Sequence, residues 1–210
     1  MSSSLVTVAA ERLIAALYEY YDSGDYVVPF QSKDIADCVV AHSAAAGVSA
    51  LAAGVLPGAG GAIAVAAGTG AVWTMYIRMT KMIGAKLGEN TLKFIASAVV
   101  SNLAMNAASM LALSFIPGVG AVACGVIQFV TVYAAGLIFL NLLTRLFKVN
   151  RMDVDEMSDE ERKAYIKNAM SSVKLSAVFK EGVVMYMEMK KSGTLDATGN
   201  SVSLEKDDEE

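Results

Sequence analysis

Two long stretches of the chain contain no Asp, Glu, Lys or Arg, Cys38 to Ile77 and Phe94 to Thr144, and each is interrupted near its middle by one turn-forming tract. The tract reads VLPGAG at Val55–Gly60 and FIPGVG at Phe115–Gly120. A bilayer core takes roughly 20 apolar helical residues to cross, and each charge-free run is at least twice that long. Folded back at Pro57-Gly58 and Gly60, or at Pro117-Gly118 and Gly120, each run predicts a helical hairpin. The first has a rising arm from about Ser32 to Leu56 and a returning arm from about Gly60 to Leu87. Ser32 and Asp34 suit its start, Gly88 its end, and Asn90 or Thr91 the cap of the next helix. Small residues dominate the first hairpin, which favours close backbone approach between helices; larger ones such as Leu103, Phe129, Leu137 and Phe139 fill the second.

The hairpins are copies of one unit. A shift of 60 positions superimposes thirteen identical residues, among them Lys33 on Lys93, Ile35 on Ile95, Ala36 on Ala96, Val39 and Val40 on Val99 and Val100, and Val72 on Val132. Repeat 1 runs from about 33 to 88 and repeat 2 from about 93 to 148, together forming a duplicated domain over 32–150.

The flanks are amphipathic. Residues 1–31 hold a predicted helix with Val6, Ala10, Leu13 and Leu17 on one side and Glu11, Tyr18 and Asp22 towards another, before Ser23-Gly24-Asp25 and Pro29. Packing on a neighbouring helix and lying at a membrane interface both fit it. From Arg151 the composition is that of a soluble segment. Ser158 with Glu161 reads as a capping box that opens one helix to about Lys191, with Lys163, Lys167, Lys174 and Glu181 on one stripe and Ile166, Ala169, Val173, Ala177 and Val184 on another. The chain closes in an acidic tail over 193–210 that is expected to be disordered.

Composition sharpens this pattern. Mean hydropathy is +0.48 with 18% charged residues, more apolar than an ordinary soluble domain. The three segments 1–33, 34–150 and 151–210 carry net charges of −2, +3 and −5, and such an acidic balance without a basic run argues against nucleic acid as partner. The cations of the middle segment gather where the apolar runs end, at Arg78, Lys81, Lys86, Lys93, Arg145 and Lys148. By the positive-inside rule, spanning hairpins would put that side and both termini in the cytoplasm. The uncharged tips fit either a tight turn at the far interface or re-entrant hairpins covered by protein. No cleavable signal peptide is evident.

Chemistry is sparse. No phosphate-binding loop is present, the single histidine, His42, leaves little material for a metal cluster or triad, and no enzyme activity or cofactor is expected. His42 aligns with Asn102 in the repeat, and Asn106 lies one turn further on. Such polar groups in apolar helices fit interhelical hydrogen bonds, or a relay with Asp37 and Arg78. Trp73 and Tyr76 fit interfacial anchoring or core packing. Cys38 and Cys124 occupy positions that need small residues rather than a disulfide.

A Pro-Gly turn, a helix ending MYIRMTKMIGAKLGE at Met75–Glu89, a second apolar helix, FIPGVG and the helix Ala121–Phe147 resemble the domain of unknown function found beside Era-like GTPases and in YcjF-type inner-membrane proteins, over roughly residues 35–148. The resemblance implies a helical, membrane-associated module that accompanies or regulates a GTPase. The reading is an all-α protein of tandem duplicated hairpins flanked by amphipathic helices, in the bacterial inner membrane. It would be non-enzymatic, self-associating, and present cytoplasmic helices to a protein partner such as a GTPase. The alternatives are a pore-forming or membrane-inserting effector, and a soluble bundle with an apolar ligand pocket.

Overall fold

The computed structural model describes residues 4–21, 28–53, 60–85, 87–113, 120–150 and 154–196, without side chains at 52, 53, 60–67, 104–113 and 120–124. Among the described residues the chain is all-helical. The α-helices are α1 (Leu5–Tyr21), α2 (Ser32–Ala53), α3 (Gly60–Ile83), α4 (Glu89–Leu113), α5 (Gly120–Lys148), α6 (Asp159–Ser171) and α7 (Leu175–Ser192), with a 3-10 turn at Val154–Glu156 before α6.

Local chemistry sets the boundaries, not always where the sequence pattern put them. The start of α2 is capped by Gln31 rather than Ser32: the Gln31 carbonyl accepts from Asp34 and Ile35, and the Asp34 carboxylate accepts from the Gln31 N–H at 2.7 Å. α3 stops at Ile83, short of the expected Leu87. Gly84 takes the left-handed conformation (φ +66°), and Ala85 N–H bonds to the Thr80 carbonyl while Gly84 N–H bonds to that of Lys81, a Schellman ending. Gly88 is therefore not the stop. Its carbonyl accepts from Leu92 at the start of α4, in place of an Asn90 or Thr91 cap, and its N–H donates to Asp155 at 2.9 Å.

The C-terminal segment is two helices, not one. Ser158 and Glu161 form the capping box that opens α6, and Gly193 (φ +73°) closes α7. Between them the Ser172 hydroxyl donates to the Ala169 carbonyl at 2.6 Å and Ser171 to that of Asn168. Such local bonds compete with helix continuation. The break resets the helical phase, so the apolar stripe extrapolated from α6 fails in α7. Val184 is exposed, and the buried face is Val178, Phe179, Gly182 and Tyr186.

Packing is organised by α5. α2 packs against α3, α3 against α4 and α4 against α5, while α2 also lies along α5. The remaining surface of α5 is covered by α1, α6 and α7, so that all six other α-helices touch it. The apolar face of α1, consisting of Val6, Ala9, Ala10, Leu13, Ala16 and Leu17, is buried there, and Tyr20 packs edge-on against Phe147. Along α5, Phe129, Ile138, Phe139, Leu140, Leu143 and Leu146 are all fully buried, each contributing roughly 1.5–3 kcal/mol relative to exposure. Two helical stretches, Ser32–Leu51 and Gly125–Lys148, are long and apolar enough to cross a membrane. The second is 89% buried by the chain's own helices.

Candidate functional site

The candidate site is α5 together with the helices that enclose it. Small residues on α5 and its neighbours let the backbones close up. A side chain on Gly125 would meet the Gly47 carbonyl at 3.1 Å, and one on Gly47 would meet the Gly125 carbonyl at 3.2 Å, so α2 and α5 cross there almost backbone to backbone. Tyr186 of α7 wedges beside this crossing, its ring edge-on to Phe129. Burial, then Asp196, pushes the Tyr186 phenol above its ordinary value. One helical stretch along, Gly136 faces Val39 of α2. Gly182 brings α7 onto Val130 and Tyr133.

The α3 side is fixed by Tyr76. Its ring stacks on Phe139 with centroids 3.9 Å apart, and its hydroxyl donates to the Ala135 carbonyl at 3.0 Å. This settles Tyr76 as a core residue of the bundle. Tyr76→Phe is expected to cost about 1 kcal/mol, the net worth of one buried neutral hydrogen bond, measurable as a shift in urea midpoint with unchanged slope.

Three of the buried polar side chains, His42, Ser43 and Thr80, bond to carbonyls of their own helices. Ser43 donates to the Val39 carbonyl at 2.7 Å and Thr80 to that of Tyr76 at 2.8 Å. His42, 3% exposed, has Nδ1 2.8 Å from the Cys38 carbonyl, so Nδ1 carries the proton in that bond. Asn102 is exposed on α4 and donates to the Ala98 carbonyl at 2.7 Å. His42 and Asn102, which the 60-position offset aligns, thus occupy different environments. Asp37 pairs with Lys33. Asn106 belongs to α4, but its side chain lies outside the described residues.

Of the predicted cations, Arg78, Lys81, Lys93, Arg145 and Lys148 are exposed. They sit on the last turns of α3 and α5 and the first of α4, the end of the bundle where Asp155 joins Gly88. Lys93 lies over the ring of half-buried Trp73, 4.7 Å from its centroid. Lys86 lies outside the described residues, as do the turn residues Pro57, Gly58, Pro117 and Gly118; Gly60 and Gly120 open α3 and α5.

The feature that hydropathy alone missed is the outer surface. Among the described side chains of α4, residues 89–103, the exposed positions are Glu89, Asn90, Lys93, Ser97, Ser101 and Asn102, every one polar. Among the described residues the large apolar side chains left exposed are Leu5, Tyr18, Val149 and Val184, scattered over α1, α7 and the end of α5. The signal was present in the sequence as a polar stripe, Asn90, Lys93, Ser97 and Ser101, at helical spacing.

Among the described residues no group of three or more His, Cys, Asp or Glu stands together to hold a metal. No family model matches the chain, and no curated protein and no solved structure matches it.

Proposed function

We propose that the chain is a non-enzymatic, membrane-active helical protein that keeps its most apolar helix enclosed in a bundle and delivers its hairpins to a bilayer. The observation that carries this reading is α5 itself: long and apolar enough to span, yet surrounded by six helices whose outer positions, where described, are mostly polar. A helix apolar on all sides is stable either in lipid or among other helices. This one has the second environment and the composition for the first.

The hairpins are read as a tandem duplication. Its support is positional: Ile35 and Ile95, Ala36 and Ala96, Val39 and Val99, and Val72 and Val132 are all buried, while Lys33 and Lys93 are both exposed. The unit that meets the bilayer would then be the paired hairpins led by their Pro-Gly tips.

A second reading is a resident inner-membrane protein that self-associates and offers its cytoplasmic helices to a partner, in keeping with the resemblance to GTPase-associated modules. It is favoured by the exposed cations gathered at one end of the bundle, which would face the cytoplasm. Flotation separates the two. Full-length chain purified without detergent is mixed with phosphatidylcholine–phosphatidylglycerol vesicles, floated and washed with carbonate. The first reading expects a dispersed protein that becomes carbonate-resistant after mixing. A chain that disperses only in detergent supports the second reading; a dispersed chain that never floats overturns both.

A further inference from the structure

We propose that Glu181 is an autoinhibitory clasp between α7 and the start of α1, holding α1 in place over α5. This rests on the reading that α5 or its hairpin is delivered to a bilayer, since a helix that must be uncovered requires a cover that can be released.

The start of α1 has no acidic residue in its first turn. Ser4 Oγ accepts from the Thr7 N–H at 3.1 Å, and the negative charge favoured at a helix N-terminus comes from a residue 176 positions away: Leu5 N–H donates to Glu181 Oε1 at 3.0 Å. Glu181 is delivered there by its neighbour Gly182, which lets α7 settle against Val130 and Tyr133 of α5. Three helices therefore meet at one carboxylate.

The rest of that contact is under-satisfied. Glu181 Oε2 and the Tyr133 hydroxyl are both buried without a hydrogen-bond partner among the described residues, although the hydroxyl lies beside Glu181, Ser4 and the Val6 backbone. The bond from the Leu5 N–H is therefore the one well-formed contact of the carboxylate, with the Tyr133 hydroxyl close beside it. The face of α1 beneath it is half alanine, with Val6, Leu13 and Leu17 as its large side chains. Losing the bond does not unfold such a helix, but it raises the frequency with which α1 lifts off α5.

Hydrogen exchange on the full chain in detergent-free buffer tests the clasp without any membrane. In Glu181→Gln the amides of Val6–Leu17 should exchange about tenfold faster, as expected for weakening a single charged hydrogen bond. In Glu181→Ala they should exchange faster still, while those of Ile95–Leu103 in α4 keep wild-type rates. Unchanged α1 exchange in both variants, or equal acceleration of every helix, overturns the proposal. Flotation with the vesicles above is the separate arm. Variants that loosen α1 and float faster than wild type support both the clasp and membrane delivery. Variants that loosen α1 but never float leave the clasp standing and remove the delivery reading. A wild type that floats, with variants whose α1 stays protected, does the reverse.

Discussion

Replacing Phe139 by alanine is expected to lower the unfolding free energy by about 3–5 kcal/mol, a large part of the 5–15 kcal/mol typical of a whole domain. Phe139 is fully buried on α5 and stacked on Tyr76, whose hydroxyl is held by the Ala135 carbonyl one turn earlier. Removing the ring leaves Tyr76 over a void that cannot refill, because its own position is pinned by that bond. Urea unfolding followed by circular dichroism checks this. A cost under about 1 kcal/mol would mean that the α3–α5 contact is not packed as described, since surface substitutions fall in that range.

The second large effect lies on the adjacent, α2-facing side of α5. A Cβ on Gly136 would stand 2.6 Å from Cγ1 and 2.9 Å from Cγ2 of Val39. Val39 is fully buried and, being β-branched, has one preferred rotamer in a helix, so it has no flexible end to move aside. Gly136→Ala gains about 1 kcal/mol of helix propensity and still comes out destabilising. Gly136→Leu should cost about 3 kcal/mol as α2 and α5 are forced apart. Shortening the opposing residue supplies the control. In Val39→Ala the penalty of Gly136→Ala should largely vanish, and a double-mutant cycle should return a coupling of about 1 kcal/mol or more. Strict additivity would place the two residues out of contact.

How much of this was legible in the sequence depended on whether a signal was local. The capping box at Ser158 and Glu161 was readable because it is a few residues acting on their own backbone. The α3 ending was misplaced because Gly84 and Gly88 are both plausible stops, and only the second has Asp155 to take its N–H. The break before α7 was hidden because Ser171 and Ser172 are ordinary residues until their hydroxyls turn back on the helix. The phase of every later residue followed from that.

The surroundings of α5 were illegible for a more general reason. A segment such as Val130–Leu143 is apolar on every side, and periodicity is silent on whether lipid or other helices occupy those sides. The answer lay in its neighbours. The polar stripe of α4, the alanine face of α1 and the glycine of α7 at Gly182 together make a cover whose inner side fits α5. For the candidate site, Arg78, Lys81, Lys93, Arg145 and Lys148 stood out by their place at the ends of the apolar runs, whereas Glu181 was placed only on a charged stripe. Its bond to Leu5 joins residues too distant in the chain for any local pattern to pair.

Thiol accessibility in detergent-free buffer tests the enclosure of α5 most directly. In a chain with Cys38 and Cys124 replaced, single cysteines are introduced at Ser97 or Ser101 on the outer face of α4, and at Ala134 or Ala135 on α5, and exposed to a water-soluble thiol reagent. Ser97→Cys and Ser101→Cys should react at the rate of a free thiol, with Ala134→Cys and Ala135→Cys silent until urea unfolds the bundle. Silence on α4 together with prompt reaction on α5 would contradict that enclosure.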